Sequence, residues 1–202
     1  MLKELDDLIE RILLVYEDVS GQWVKSEKYL RVNLKNTCVS EIYNNDVLLD
    51  LVLAYRGFIL RNEKVKKFAF SPEKLGKGVN MRVKTQNSIE YKIESYIAHH
   101  AKGRVPIHKC LNDLAGIRIF VSDYVVHEEI QSHIKESYPR LKCIDASKNG
   151  YIATHVYFKM DNFSFQWELQ IWRNEDKDNN LVSHKQYKQD YIKWECNSKR
   201  SM

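Results

Sequence analysis

Apolar residues recur at spacings of three and four through Leu2, Leu5, Leu8, Ile9, Ile12 and Leu13, with acidic residues in the gaps. This spacing predicts an amphipathic helix at the start of the chain. Two further helices are predicted: Gln22 to Leu34, carrying Trp23, Tyr29, Leu30 and Val32, and a long one over Val39 to Asn62. Ser71-Pro72 and Gly76-Lys77-Gly78 then punctuate the chain, and the pattern changes. A strand is predicted over Val79 to Lys84, a helix over Asn87 to His100 and a buried strand over Leu114 to Val121. A further helix follows over His127 to Glu136. Tyr151 to Met160 and Phe163 to Trp172 read as two strands joined through the short loop Met160-Asp161-Asn162-Phe163, and Leu181 to Trp194 as a last helix. The expected organisation is a helical N-terminal arm over residues 1–75 and a core of strands and helices over 76–202.

With 44% hydrophobic and 11% aromatic residues, only three Pro and seven Gly in 202, disorder is excluded as the main state. No apolar run approaches the roughly 20 residues of a membrane span, so no membrane association is expected. The acidic start, Glu4 to Asp7, leads us to expect no secretory leader. Cys38, Cys110, Cys143 and Cys196 lie 72, 33 and 53 positions apart. Without close Cys-x-x-Cys spacing they read as reduced thiols of a cytoplasmic protein. The net charge of +5 is mild, but Arg61 to Lys84 holds eight basic residues against two acidic ones.

Four segments concentrate chemistry. In the first, Arg82 and Lys84 share a strand face, and Ser88 and Lys92 lie one turn apart on the next helix. Such a strand-to-helix junction suits a polyphosphate; a solvated basic surface is the alternative. In the second, Asp113 opens an apolar strand that Arg118 interrupts. A buried arginine must be answered, either by a structural ion pair or by a ligand's base or phosphate, with Asp113 as a magnesium ligand. In the third, Lys148-Asn149-Gly150 reads as a turn and alternation then places Tyr151 and His155 on one face. They suit a nucleotide, or are half-buried sheet residues. In the fourth, Phe163, Phe165, Trp167, Leu169 and Ile171 form a core face, which sends Gln166, Glu168 and Gln170 to the other side. Glu168 is then a metal-binding or proton-accepting carboxylate, or an edge charge.

In this order, the four segments resemble the synthetase domain of the RelA/SpoT family, ATP-dependent pyrophosphokinases that make (p)ppGpp. The resemblance covers about residues 80 to 190. It implies an α+β fold, a mixed β-sheet flanked by helices of nucleotidyltransferase type. It also implies transfer of the β,γ-pyrophosphate of ATP to the 3′-hydroxyl of GDP or GTP, with Mg2+ as cofactor. By position, it assigns Arg82 and Arg118 to the adenine and Lys84, Ser88 and Lys92 to the ATP phosphates. Asp113 and Glu168 become metal ligands, Glu168 also activating the acceptor hydroxyl. Lys148, Asn149, Tyr151, His155, Gln170 and His184 fall on the acceptor side. Where many members read Glu-x-Gln-Ile-Arg-Thr, this chain reads Glu168-Leu169-Gln170-Ile171-Trp172-Arg173. Too few residues precede the match for the family's hydrolase domain, so a single-domain small synthetase, monomeric or a small homo-oligomer, is expected. The alternative within the family is a toxin-type member. It would act on adenine nucleotides or the 3′ end of tRNA, with an antitoxin as partner, and the basic stretches would meet RNA.

Overall fold

The computed structural model describes residues 2–69, 79–121 and 126–183. Helix α1 (Leu2–Val24) follows the predicted spacing, burying Leu5, Leu8, Ile9, Ile12, Tyr16, Val19 and Trp23. The helix expected over Gln22 to Leu34 is not formed: α1 absorbs its first residues, and turns and irregular chain follow. Tertiary partners explain the difference. The Leu34 amide donates to the Asn162 carbonyl at 2.8 Å and the Leu34 carbonyl accepts from the His108 amide at 3.0 Å, so the segment is spent on bridging loops of the sheet layer.

The single long helix expected over Val39 to Asn62 is two helices, α2 (Val39–Tyr43) and α3 (Asp46–Arg61). Asn45 makes the break: its backbone is extended and its side chain accepts from the Val47 and Leu48 amides, capping α3. A short α4 (Glu63–Ala69) follows. The Ser71-Pro72 and Gly76 to Gly78 punctuation lies outside the described residues.

Strand β1 (Asn80–Val83), helix α5 (Gln86–His99), the short α6 (Ile107–Cys110), strand β2 (Ala115–Val121) and helix α7 (His127–Ser137) come next. Then follow β3 (Lys142–Asp145), β4 (Thr154–Phe158) and β5 (Trp167–Arg173). The five strands make one mixed sheet in the order β1-β2-β5-β4-β3, with β2 and β5 parallel and the other pairs antiparallel. This is the expected α+β class. The last two strands do pair, but they are shorter than expected, so residues 159–166 form the connection in place of a four-residue turn. Residues 177–183 are helical; the rest of the helix expected over Leu181 to Trp194 lies outside the described residues.

One face of the sheet carries the core. Trp167, Leu169 and Ile171 of β5 are fully buried, as are Val156 and Phe158 of β4 and Ile117 of β2. They belong to the same apolar cluster as the inner faces of α1 and α3. Two tyrosines tie these helices to the sheet. Tyr16 Oη donates to the Phe165 carbonyl at 3.0 Å, and Tyr55 Oη accepts from Trp167 Nε1 at 3.0 Å. No helix among the described residues is long and apolar enough to cross a membrane.

Candidate active site

The opposite sheet face follows from register. Cross-strand partners point to the same side, and the pairs are Arg82↔Gly116, Gly116↔Glu168, Arg118↔Gln170, His155↔Gln170, Tyr157↔Glu168 and Lys142↔Tyr157. Arg82, Arg118, Glu168, Gln170, His155, Tyr157 and Lys142 therefore share one face. Gly116 carries no side chain there, and the Arg82 stem passes over it: a Cβ would lie 3.8 Å from Arg82 Nε.

At the end of β1 the Lys84 amide bonds to the Leu114 carbonyl and the Lys84 carbonyl accepts from Arg56 Nε at 2.8 Å, fixing the junction against α3. Thr85 caps α5 by accepting from the Ser88 amide, and its hydroxyl donates to Ser88 Oγ at 2.8 Å. Lys92, one turn on from Ser88, and Lys84 both reach Asp113, at 2.9 Å to Oδ1 and 2.7 Å to Oδ2. Lys84 and Asp113 are buried, and Lys92 is partly so. Burial works to raise the Asp113 pKa, but the Lys92 and Lys84 charges outweigh it and hold the carboxyl well below the usual carboxylate range. For Lys92, burial is outweighed by the adjoining Asp113 carboxylate, which holds it above its ordinary value; for Lys84, burial prevails and lowers it.

A closed ring of contacts surrounds Glu168, itself 4% exposed. His155 Nδ1 lies 2.9 Å from Glu168 Oε1, and Gln170 Nε2 donates to Oε2 at 2.7 Å. Gln170 Oε1 in turn accepts from Arg118 Nε at 3.1 Å and from its second guanidinium nitrogen at 2.9 Å. The Arg118 guanidinium sits 3.7 Å over the Trp172 ring, the Trp172 indole N–H donates to Tyr151 Oη at 3.1 Å, and Tyr151 Oη meets His155 Nε2 at 2.7 Å. Burial pushes the Glu168 pKa up, but the hydrogen bond and charge of His155 prevail and leave it below its ordinary value. Arg118 is lowered by burial and by the nearby Arg82 charge.

Asp113 and Glu168 are joined through side chains. Lys92 Nζ donates to Asn112 Oδ1 at 3.3 Å, and Asn112 Nδ2 donates to Tyr157 Oη at 3.2 Å. Tyr157 hydrogen-bonds Glu168, and burial with that carboxylate raises the phenol pKa.

The structure thus brings together Arg82, Lys84, Lys92, Asp113, Arg118, Tyr151, His155, Glu168 and Gln170, with Ser88 at the adjoining helix start. Arg118 meets a glutamine oxygen and an indole face. Lys148 and Asn149 lie in an exposed turn that the Lys148 and Tyr151 backbones close by bonding to each other at 2.8 and 3.0 Å, with Asn149 at φ 52° and Gly150 at φ 81°, where a residue without a Cβ is favoured. His184 lies outside the described residues. Tyr157, Asn112 and Trp172 are site residues that sequence reasoning missed. Continuing the alternation from His155 to Tyr157 and from Gln170 to Trp172 finds two of them.

No family model and no curated protein matches the chain. Among solved structures it is similar to the small alarmone synthetase 2 from Bacillus subtilis, with 21% identity, 69% of this chain and 79% of that chain covered, and a TM-score of 0.40. It is similar also to the small alarmone synthetase 1 of the same organism, at 17% identity, 73% and 82% coverage and a TM-score of 0.42. For that synthetase bound to AMPCPP the values are 18%, 77%, 88% and 0.39.

Proposed function

We propose that the chain is an ATP-dependent pyrophosphokinase of the RelA/SpoT synthetase type, acting in the cytoplasm on GDP or GTP. The observation that carries this reading is the placing of Glu168. It is a buried, ionised carboxylate at mid-sheet, between the cations Arg82, Lys84, Lys92 and Arg118 on one flank and the Tyr151–His155 pair on the other. In the transfer, the acceptor 3′-oxygen attacks the β-phosphorus of ATP, the bond from that phosphorus to the α,β-bridging oxygen breaks, and AMP leaves. The hydroxyl proton passes to Glu168. Phosphoryl-type transfer needs mainly alignment and charge neutralisation. Lys84 and Lys92 supply positive charge that a polyphosphate can draw from Asp113, and the two arginines flank a place for the adenine. Tyr151 and His155 orient the acceptor.

The two carboxylates fit Mg2+, which takes oxygen ligands and commonly uses one or two carboxylates with substrate phosphates. Asp113 and Glu168 are the residues that would hold it, with Lys84 and Lys92 drawn from Asp113 to the phosphates. When bound, Mg2+ neutralises phosphate charge.

The test incubates the protein with γ-labelled ATP and Mg2+ and offers GDP, GTP, ADP and deacylated tRNA separately, with Glu168→Gln as control. Label on GDP or GTP supports the proposal. Label only on tRNA or ADP moves the chain to the toxin-type alternative, and no transfer to any acceptor overturns the pyrophosphokinase reading.

A further inference from the structure

Trp172 touches both flanks of the transfer centre. The parity of β5 puts it on the site face, two positions after Gln170, yet it is fully buried there. Its neighbours account for the burial. The Arg118 guanidinium covers the ring at 3.7 Å from the centroid, Phe120 meets it edge-on with centroids 5.8 Å apart and planes at 88°, and Tyr151 does so at 5.7 Å and 81°. The indole N–H donates to Tyr151 Oη at 3.1 Å. Three stretches of chain thus meet at one ring: β2 through Arg118 and Phe120, β5 through Trp172 itself, and the turn before β4 through Tyr151.

Both polar contacts restrict a neighbour's direction as well as adding contact area. A guanidinium is a flat fork. Arg118 is held at its edge by Gln170 Oε1, which accepts from Nε at 3.1 Å and from a terminal nitrogen at 2.9 Å, and over its plane by the indole. Edge bonds alone leave the plane able to tip about the line to the oxygen, and the ring face opposes that motion. Tyr151 is held at its oxygen from two directions, by the Trp172 N–H and by His155 Nε2 at 2.7 Å. Tryptophan joins a broad π face and an N–H donor in one side chain, whereas phenylalanine would keep the first and lose the second. We propose that Trp172 is a positioning residue shared by the two substrates: its ring face sets the plane of Arg118 against the adenine of ATP, and its N–H sets the Tyr151 ring against the acceptor base. The inference rests on the pyrophosphokinase reading and adds to it a buried residue that acts on each nucleotide through a neighbour.

The test measures by calorimetry the affinity of the full chain for a non-hydrolysable ATP analogue with Mg2+ and then, with the donor side saturated, for GDP, ADP and a short RNA oligonucleotide. The proteins compared are the parent, Trp172→Phe, Tyr151→Phe and the double variant. Trp172→Phe is expected to weaken the acceptor that the parent binds about three- to tenfold, the worth of one hydrogen bond. The ATP analogue stays within about twofold, because a ring face remains under Arg118. The double variant is expected to bind the acceptor no more weakly than Tyr151→Phe alone, since the N–H then has no oxygen to act through. Trp172→Met and Trp172→Leu remove the face as well and are expected to weaken the ATP analogue about fivefold or more; should neither fold, the phenylalanine cycle decides alone. A side chain that matters only for packing would lower the urea midpoint of Trp172→Phe and leave both affinities at the parental level. That pattern overturns the proposal, as do additive losses in the double variant and a parent that binds none of the three acceptors. Should the parent transfer label to no acceptor, the pyrophosphokinase reading fails on its own, while these affinities still decide the role of Trp172.

Discussion

His155 stands between Glu168 and Tyr151: its Nδ1 is 2.9 Å from Glu168 Oε1 and its Nε2 is 2.7 Å from Tyr151 Oη. The Nδ1–H donates to the carboxylate whichever charge the ring carries, while Nε2 accepts the Tyr151 proton in the neutral ring or donates to Tyr151 in the protonated one. His155 is thereby a positioning residue. It aims Glu168 and favours its ionised form against the burial and the Asp113 charge that oppose it.

A pH profile reads that role directly. In His155→Ala the burial of Glu168 persists while its hydrogen bond from His155 is lost, so the Glu168 pKa rises. The acid limb of kcat/KM for pyrophosphate transfer is then expected to move to higher pH. A variant that is slower but keeps the parental acid limb would show that His155 does not act through Glu168.

Glu168→Gln removes the proton acceptor while keeping size and a hydrogen-bonding end. General-base catalysis contributes about 10²- to 10⁴-fold, so kcat is expected to fall within that range. Affinity for an ATP analogue changes little, because Lys84, Lys92 and Arg82 are untouched. Retention of more than about a tenth of the parental kcat in a quenched-flow assay would remove Glu168 from the role of base.

Much of this site is legible in the sequence because strand parity is strict. Once Trp167, Leu169 and Ile171 are assigned to the core, Glu168 and Gln170 must face the other way. Arg82 and Lys84 are likewise placed by alternation, although Lys84 bends past the strand end to meet Asp113 and Lys92. The short edge strand β3 has no apolar run to announce it, so the sequence pattern does not place Lys142 on the site face. The chain after Val24 is irregular although Tyr29, Leu30 and Val32 carry helical spacing, because the deciding bonds from Leu34 to Asn162 and His108 are long-range. Asn45 is a legible cap within a stretch whose leucines argue for continuity. Alternation from Gln170 puts Trp172 on the site face, but the seating of its indole under Arg118 follows only from the register of β2 and β5.

Tyr55→Phe tests the link between α3 and the sheet. The ring keeps its stacking on Phe165, with centroids 4.7 Å apart, but the Trp167 indole N–H loses its acceptor in a fully buried place. An unsatisfied buried donor costs about 1–3 kcal/mol. Urea unfolding is expected to show a loss of that size with an unchanged m-value, and a loss under about 0.5 kcal/mol would mean that the indole finds another partner.

Thiol labelling separates the cysteines by environment. Burial pushes Cys110 up to about 12 and Cys143 up to about 11, whereas Cys38 is partly exposed. The thiolate is the reactive form. In a Cys196→Ser background, iodoacetamide at pH 8 is expected to modify Cys38 first and Cys110 only on unfolding. Early alkylation of Cys110, read by peptide mass spectrometry, would contradict its burial beside Lys92.

The triad of Asp113, Lys84 and Lys92 predicts both a mutational and a pH response. Breaking a buried ion pair from one side leaves a charge without its counter-ion and costs about 3–5 kcal/mol. Asp113→Asn is expected to lose stability of that order, while Asp113→Asn/Lys84→Met recovers part of it because one stranded ammonium is gone; simple additivity in urea unfolding would show that the three groups do not act as a unit. The pH dependence has a definite sign. The folded-state pKa of Asp113 lies below its unfolded value, so its contribution is fully present above the unfolded value of about 3.9 and is lost as pH falls toward the folded one. The parent should therefore destabilise more steeply than Asp113→Asn as pH is lowered from about 4. Parallel stability curves for the two proteins through that interval would place the source of acid sensitivity at other carboxylates.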